Sequence, residues 1–328
     1  MTVFRRIRRC CTLRAALLCA ATLHGQQASA QEPPPIRVGV DRVNVGVVVT
    51  DSSGRFVTGL RREDFRVFDN GTEQPVSGFL SNEDPAQLLL LVESGPAVLF
   101  LGKGNILAAD RLLVSLAVDD RVALASYSRT PQLLLDFSSD KSLARQALSG
   151  LNFTNGFADL NLAASLGAVV DWLGAVPGKK TIVILCSGVD TSSDLAWQQV
   201  LDKLRVSDVR ILAVSLSQGL HKPAKRRKMS QEDKDAQVFL KQGFAQADQS
   251  LSQISAASGG RAYFPRDSAG FDRSYAEIAE LVRHEYNLAF APPSLDGRVH
   301  SIEVKVRGSS YQVDHRQAYR ASSTNPTD

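Results

Sequence analysis

Four short apolar runs constrain this chain more than any other feature: Leu88–Val92, Val122–Ala125, Ile182–Cys186 and Ile211–Leu216. None alternates with polar residues, so each reads as a strand covered on both faces, and the segments between them have the length and period of the covering helices. Together they predict an α/β fold built on a doubly wound, mainly parallel sheet. The helices fall at about 97–117, 140–150, 158–174, 192–206 and 236–257, the last stopping at Gly259-Gly260. A strand over Arg261–Phe264 and a helix over 271–287 follow, the helix carrying Phe271, Tyr275, Ile278 and Val282 on one stripe.

The flanks change to period two. Ile36, Val38 and Val40, then Val43, Val45 and Val47, alternate with polar or small residues, and Phe65–Phe68 runs into Asn70-Gly71, a pair suited to a tight hairpin turn. Past Asp296-Gly297, Ile302, Val304 and Val306 alternate with Glu303, Lys305 and Arg307. A β segment of roughly 35 residues buries too little to stand alone. The two flanks are therefore expected to share one sheet or sandwich, with the α/β domain inserted between them. The expected limits are a signal peptide over 1–30, a linker over 31–35, an N-terminal β segment over 36–84, the α/β domain over 85–287, a C-terminal β segment over 288–320 and a disordered tail over 321–328.

Residues 1–30 hold five arginines and no acid, then an apolar stretch from Ala15 to Leu23 and the small residues Ala28-Ser29-Ala30 before Gln31. That is the grammar of a secretory signal, and the apolar run falls short of the ~20 residues of a membrane span. The expectation is an exported protein, periplasmic or secreted, with no membrane span in the mature chain. Without the leader, 33 basic residues face 34 acidic ones, so no net positive charge argues for nucleic acid. Of four cysteines only Cys186 remains, which leaves no internal disulfide. The stretch 221–235 is basic, then acidic, and reads as a solvated loop, the alternative being a site for an anionic partner.

Six segments in order carry a family resemblance: Val47–Gly54 with Leu60–Phe65, Leu88–Gly95, Asp120–Leu124, Lys179–Leu185, Ser258–Ala262, and Tyr286–Phe290 with Tyr319. In them the chain resembles exported bacterial proteins with a von Willebrand factor type A-related domain, over nearly the whole mature length. The resemblance implies a doubly wound sheet whose ligand face lies at the carboxyl ends of the strands. It also implies, in many members, a divalent-cation adhesion site with an Asp-x-Ser-x-Ser loop, a Thr in a second loop and an Asp in a third.

Set on that pattern, this sequence has Val92 at the Asp position, Ser94 at the first Ser, Pro96 at the second, Phe157 at the Thr and Ser187 at the third-loop Asp. The pattern is degenerate, and the face is expected to hold no metal and no cofactor. Glu93, Ser94, Asp159, Ser187 and Asp190 are the candidate partner-binding residues. The expected function is a non-enzymatic protein-interaction module whose recognition face is loops 93–96, 152–159 and 187–193, for a protein partner. One alternative is a metal-dependent adhesion protein with a site rearranged around Glu93, Ser94, Asp159 and Asp190. A second is a hydrolase using Cys186 or Ser187 with His284 or His300 as base, although no Gly-x-Ser-x-Gly elbow is present. His284-Glu285 lacks the second His of a zinc motif, and Gly102-Lys103-Gly104-Asn105 lacks phosphate-loop spacing and is read as a kink or broken helix start. Trp172 and Trp197 are read as packing anchors.

Overall fold

The computed structural model describes residues 42–95, 103–153, 159–220, 231–308 and 311–321. The expectations for the leader, the linker, the strand start at Ile36, residues 221–230 of the loop expected over 221–235 and the tail from 322 onward lie outside them, while 231–235 of that loop are helical. Among the described residues the chain runs first through β1 (Val43–Thr50), β2 (Phe65–Asp69), β3 (Thr72–Gln74) and β4 (Gly78–Leu80). Asn70 and Gly71 take φ of 47° and 80° between β2 and β3, the left-handed pair that a two-residue hairpin needs. The α/β portion follows as β5 (Ala86–Glu93), α1 (Lys103–Ser115), β6 (Arg121–Tyr127), β7 (Pro131–Ser138), α2 (Lys141–Ser149), α3 (Leu162–Gly174), β8 (Lys179–Cys186), α4 (Asp194–Val206), β9 (Val209–Ser215), the short α5 (Ser217–Leu220), α6 (Gln231–Ala257), β10 (Arg261–Tyr263) and α7 (Ser268–His284). The chain closes with β11 (Tyr286–Phe290), β12 (Val299–Val306), β13 (Gln312–His315) and β14 (Ala318–Arg320).

The central sheet has the order β10-β9-β8-β5-β6-β7, parallel throughout except for the antiparallel edge strand β7. This is the doubly wound, mainly parallel sheet expected. Alternate residues of one strand feed two cores. Leu88, Leu90 and Val92 pack with Leu112 of α1, Leu148 of α2 and Phe271 and Ile278 of α7, whereas Leu89 and Leu91 pack with Leu166 of α3, Leu204 of α4 and Leu251 of α6. A strand with both faces so covered has no polar side to show, which is why its sequence does not alternate. Trp172 stacks on Phe137 with ring centroids 5.3 Å apart, and Trp197 lies against the second core, as packing anchors do.

Several boundaries differ from the sequence reading, each for a local reason. Helix α3 starts at Leu162 rather than 158, because the Asn161 side chain accepts the Ala164 N–H and caps it. Helix α7 ends at His284, so Tyr286 and Asn287 belong to β11, where all five residues are buried and no alternation marks the change. The antiparallel β7, absent from the sequence reading, is an edge strand whose leucines Leu133 and Leu134 are exposed. Helix α1 ends at Ser115, and α6 begins at Gln231.

The remaining strands form two antiparallel sheets, β13-β1-β11-β4 and β14-β12-β2-β3, each mixing strands from before and after the α/β portion. Val45, Val47, Val49, Val67, Leu288, Phe290, Ile302 and Tyr319 fill the core they share. One buried ammonium holds both places where the chain crosses from sandwich to α/β portion. Lys179 donates to the carbonyls of Ser81 (3.1 Å) and Asn82 (3.4 Å) on the way in and of Glu285 (3.3 Å) on the way out. The Glu285 carboxylate, also buried, lies 3.4 Å from Arg210 of β9, in space that exists because Gly46 has no Cβ; a Cβ there would stand 2.1 Å from Glu285 Oε1. Replacing Lys179 by Met is expected to lower unfolding free energy by about 3 kcal/mol, measured by urea titration, since it leaves three buried carbonyls without their donor and removes a positive charge near the Glu285 carboxylate.

A second polar cluster joins the sandwich strands. His300 of β12 has Nδ1 2.8 Å from Asp69 Oδ1 and Nε2 3.2 Å from Asp296 Oδ1, and the Tyr319 hydroxyl donates to Asp69 Oδ2 at 2.6 Å. Burial works to lower the imidazole's pKa, but the bonds and charges of the two aspartates outweigh it and raise the pKa above 6.5. A raised histidine pKa adds stability that is whole below the unfolded value and fades as pH climbs through the folded one. Melting temperatures from acid to alkaline pH should therefore fall more steeply in the parent than in His300→Gln, the two curves converging at high pH.

Candidate functional site

The carboxyl ends of β5, β6, β8 and β9 meet at one edge of the central sheet, the place where such sheets carry ligands. Glu93 is the last residue of β5, and its side chain is fully buried on the α3 and α4 side of the sheet. Its Oε2 accepts the Ser187 N–H at 2.6 Å and the Ser187 hydroxyl at 2.7 Å, while Oε1 is buried with no hydrogen-bond partner among the described residues. Burial pushes the carboxyl's pKa up, against the opposing pull of the Ser187 donors. Ser187 is itself fully buried, so neither residue touches solvent. Gly188, at φ 75°, carries the loop past α6, where a Cβ would come 2.9 Å from Leu251.

The other candidates are spread around this pair. Ser94 turns back to β6: its N–H and its hydroxyl both donate to the Tyr127 carbonyl, at 2.8 and 2.9 Å. Asp190 accepts the Ala163 N–H at 2.9 Å with one oxygen and the Ser192 N–H at 2.8 Å with the other, so it fastens the loop after β8 to the start of α3. Asp159 is exposed and paired with Arg129 at 2.7 Å. Val92, at the metal-binding Asp position of the family pattern, packs in the first core with α1 and α7. Pro96 and Phe157 lie outside the described residues. The structure thus brings Glu93 and Ser187 into direct contact, whereas Ser94, Asp159 and Asp190 each hold a different partner. Among the described residues no three His, Cys, Asp or Glu side chains gather in a way that would hold a metal ion.

Sequence reasoning missed several residues that shape this edge. Thr191 donates through both N–H and hydroxyl to the Leu160 carbonyl, at 2.7 and 2.9 Å, and the Ser192 hydroxyl bonds to Asn161. The hydroxyls of Ser215 and Ser217 both donate to Asp248 of α6, at 2.8 and 2.7 Å. Only Asn161 had a legible signal, a cap residue just before an apolar helical run. Cys186 is buried and its thiol pKa is pushed far up by burial, the opposite of an activated nucleophile. Of the candidates only Asp159 is exposed, paired with Arg129, and among the described residues nearby Val189 (37% exposed) and Leu195 (67%) also face solvent.

No family model matches this sequence, and no curated protein does. Among solved structures, an aerotolerance-related membrane protein from Bacteroides fragilis is similar at 12% identity and a TM-score of 0.41, over 60% of this chain and 98% of that one. A von Willebrand factor type A structure from Catenulispora acidiphila is similar at 10% identity and 0.46, over 80% and 74%. The vWF domain of the type V pili tip protein Mfa5 from Porphyromonas gingivalis is similar at 10% and 0.43, over 60% and 95%. The doubly wound assignment rests on the strand order itself.

Glu93→Gln is the informative substitution at this edge. An acid whose folded pKa is raised costs stability once pH exceeds its unfolded value of about 4.5. The amide keeps an oxygen for the two Ser187 donors and has no charge to bury. Its melting temperature should match the parent near pH 4 and rise progressively above it toward neutral pH.

Proposed function

We propose that this chain is an exported, non-enzymatic protein-interaction module, with loops 93–96, 152–159 and 187–193 as its recognition face and no metal in that face. One observation carries the reading. Asp190 gives both oxygens to backbone N–H groups, and Glu93 gives Oε2 to the Ser187 N–H and hydroxyl while its other oxygen is buried. A hard divalent cation needs several free oxygens on one centre, and Val92 directs an apolar side chain into the core where a carboxylate would be required. These residues do not fit the ion.

The inward bonds hold the loop after β8, whose Val189 is exposed together with Leu195 in the first turn of α4 and the Arg129–Asp159 pair. A rigid face with a small apolar centre and a charged rim suits a protein surface. A hydrolytic use of Cys186 or Ser187 has neither histidine at hand, since His284 stacks on Phe56 and bonds to the Glu280 carbonyl, His300 lies between Asp69 and Asp296, and Ser187 is fully buried against Glu93. Among the described residues no helix is long and apolar enough to cross a membrane.

The test is affinity capture from an envelope fraction with and without chelator, alongside thermal shift in millimolar Mg²⁺, Ca²⁺ and Mn²⁺. The expected result is a partner retained in chelator, weakened about tenfold or more by Val189→Asp or Leu195→Asp, and no cation-dependent shift. A saturable Mg²⁺ shift abolished by Glu93→Gln would transfer the reading to the rearranged metal site.

A further inference from the structure

At the opposite end of the central sheet, the start of β8 and the turn before β9 face the outer side of the sheet β13-β1-β11-β4 across a cavity of about 600 Å³. That size is ordinary for a small-molecule site. The room comes from small residues on the sheet, Gly78 and Ala289, and from the glycine-bounded turn 174–178 between α3 and β8.

Three side chains that line it have donors with nothing to receive them. Lys180 is only 6% exposed, and its ammonium meets one carboxylate, Asp208, at 2.7 Å. The second Asp208 oxygen is already taken by the Asn44 amide at 2.9 Å. Two of the three ammonium protons therefore have no acceptor among the described residues. Asn287, also 6% exposed, sits in the middle of its sheet between Gly46 and Leu80, and its side-chain amide makes no hydrogen bond among the described residues. Arg42, at the rim, is exposed and has no ion pair among the described residues. With Asp208 set against Lys180, the lining keeps one net positive charge, and Lys180, Arg42 and the Asn287 amide nitrogen all supply donors.

We propose that this cavity is a binding site for a small carboxylate. The planar fork of Arg42 matches the two oxygens of a carboxylate, which a spherical or tetrahedral anion matches less well. Lys180 supplies a nearly buried charge, and the Asn287 amide supplies a neutral donor that sets orientation. The site is remote from the loop-bearing edge and independent of what that edge recognises.

Calorimetry on the full chain at constant ionic strength, with succinate and inorganic phosphate as probes, tests the assignment. Succinate is expected to bind saturably at about 1 mM or tighter, more tightly than phosphate. Arg42→Ala and Asn287→Ala should each weaken it about tenfold or more. Arg42 is on the surface and Asn287→Ala removes a polar group that lacks a partner, so both variants should keep the parent's melting temperature without ligand. The Lys180→Met and Asp208→Asn pair, made together to avoid an unpaired buried charge, should abolish binding. No saturable succinate binding up to about 10 mM, binding indifferent to Arg42→Ala and Asn287→Ala, or phosphate binding in place of succinate would each overturn it.

Discussion

The Lys179 ammonium is the tie on which the architecture turns, because the chain passes between its two halves only twice and this one group holds both passages. Burying an ammonium is costly, and burial lowers its pKa against the pull of Glu285. The cost is offset because three carbonyls at the crossings would otherwise lack donors. Arg316 extends the same device, donating to the Ser207 carbonyl of the α/β portion and the Asn44 carbonyl of β1, both at 2.7 Å. Cationic side chains reach main-chain oxygens that no strand or helix can satisfy, so the two portions meet through polar groups that are mostly answered.

The same logic governs the carboxyl-terminal edge of the sheet. Glu93 and Asp190 stand where strands end and loops begin, Asp248 lies within α6, and each receives N–H or hydroxyl donors from a neighbouring element. Carboxylates in such positions can serve an external cation or the protein's own backbone, and the oxygens committed to one are lost to the other. Here they brace the loops. Glu93 draws in the loop after β8, Asp190 joins that loop to α3, and Asp248 joins the end of β9 to α6. Among the described residues, Val189, Leu195 and the Arg129–Asp159 pair are exposed at this edge.

How much of this was legible depended on whether a residue's environment is set by its neighbours in sequence. Leu88–Val92 and Ile182–Cys186 announce strands because two-sided burial erases alternation. Pro131–Ser138 does not, since an edge strand with exposed leucines and a shifted register resembles a loop with apolar residues. Asn161 is readable as a cap because a cap acts over three residues. Glu93 and Ser187 are 94 residues apart, and nothing near either one says that they meet. Lys180 and Asn287 look like ordinary members of their strands until packing leaves Lys180 with the single carboxylate of Asp208 and the Asn287 amide with no hydrogen bond among the described residues.

The amino-acid sequence by itself determined the strand and helix periods, the turn at Asn70-Gly71 and the apolar Val92 near the end of the first buried run, because each is a property of a few adjacent side chains. Only the tertiary structure decided which acids turn inward, which ammonium holds the crossings and which amide is left with donors unanswered. Those outcomes depend on desolvation and on partners contributed by distant segments, and a buried charge or amide acquires its character from what surrounds it in space.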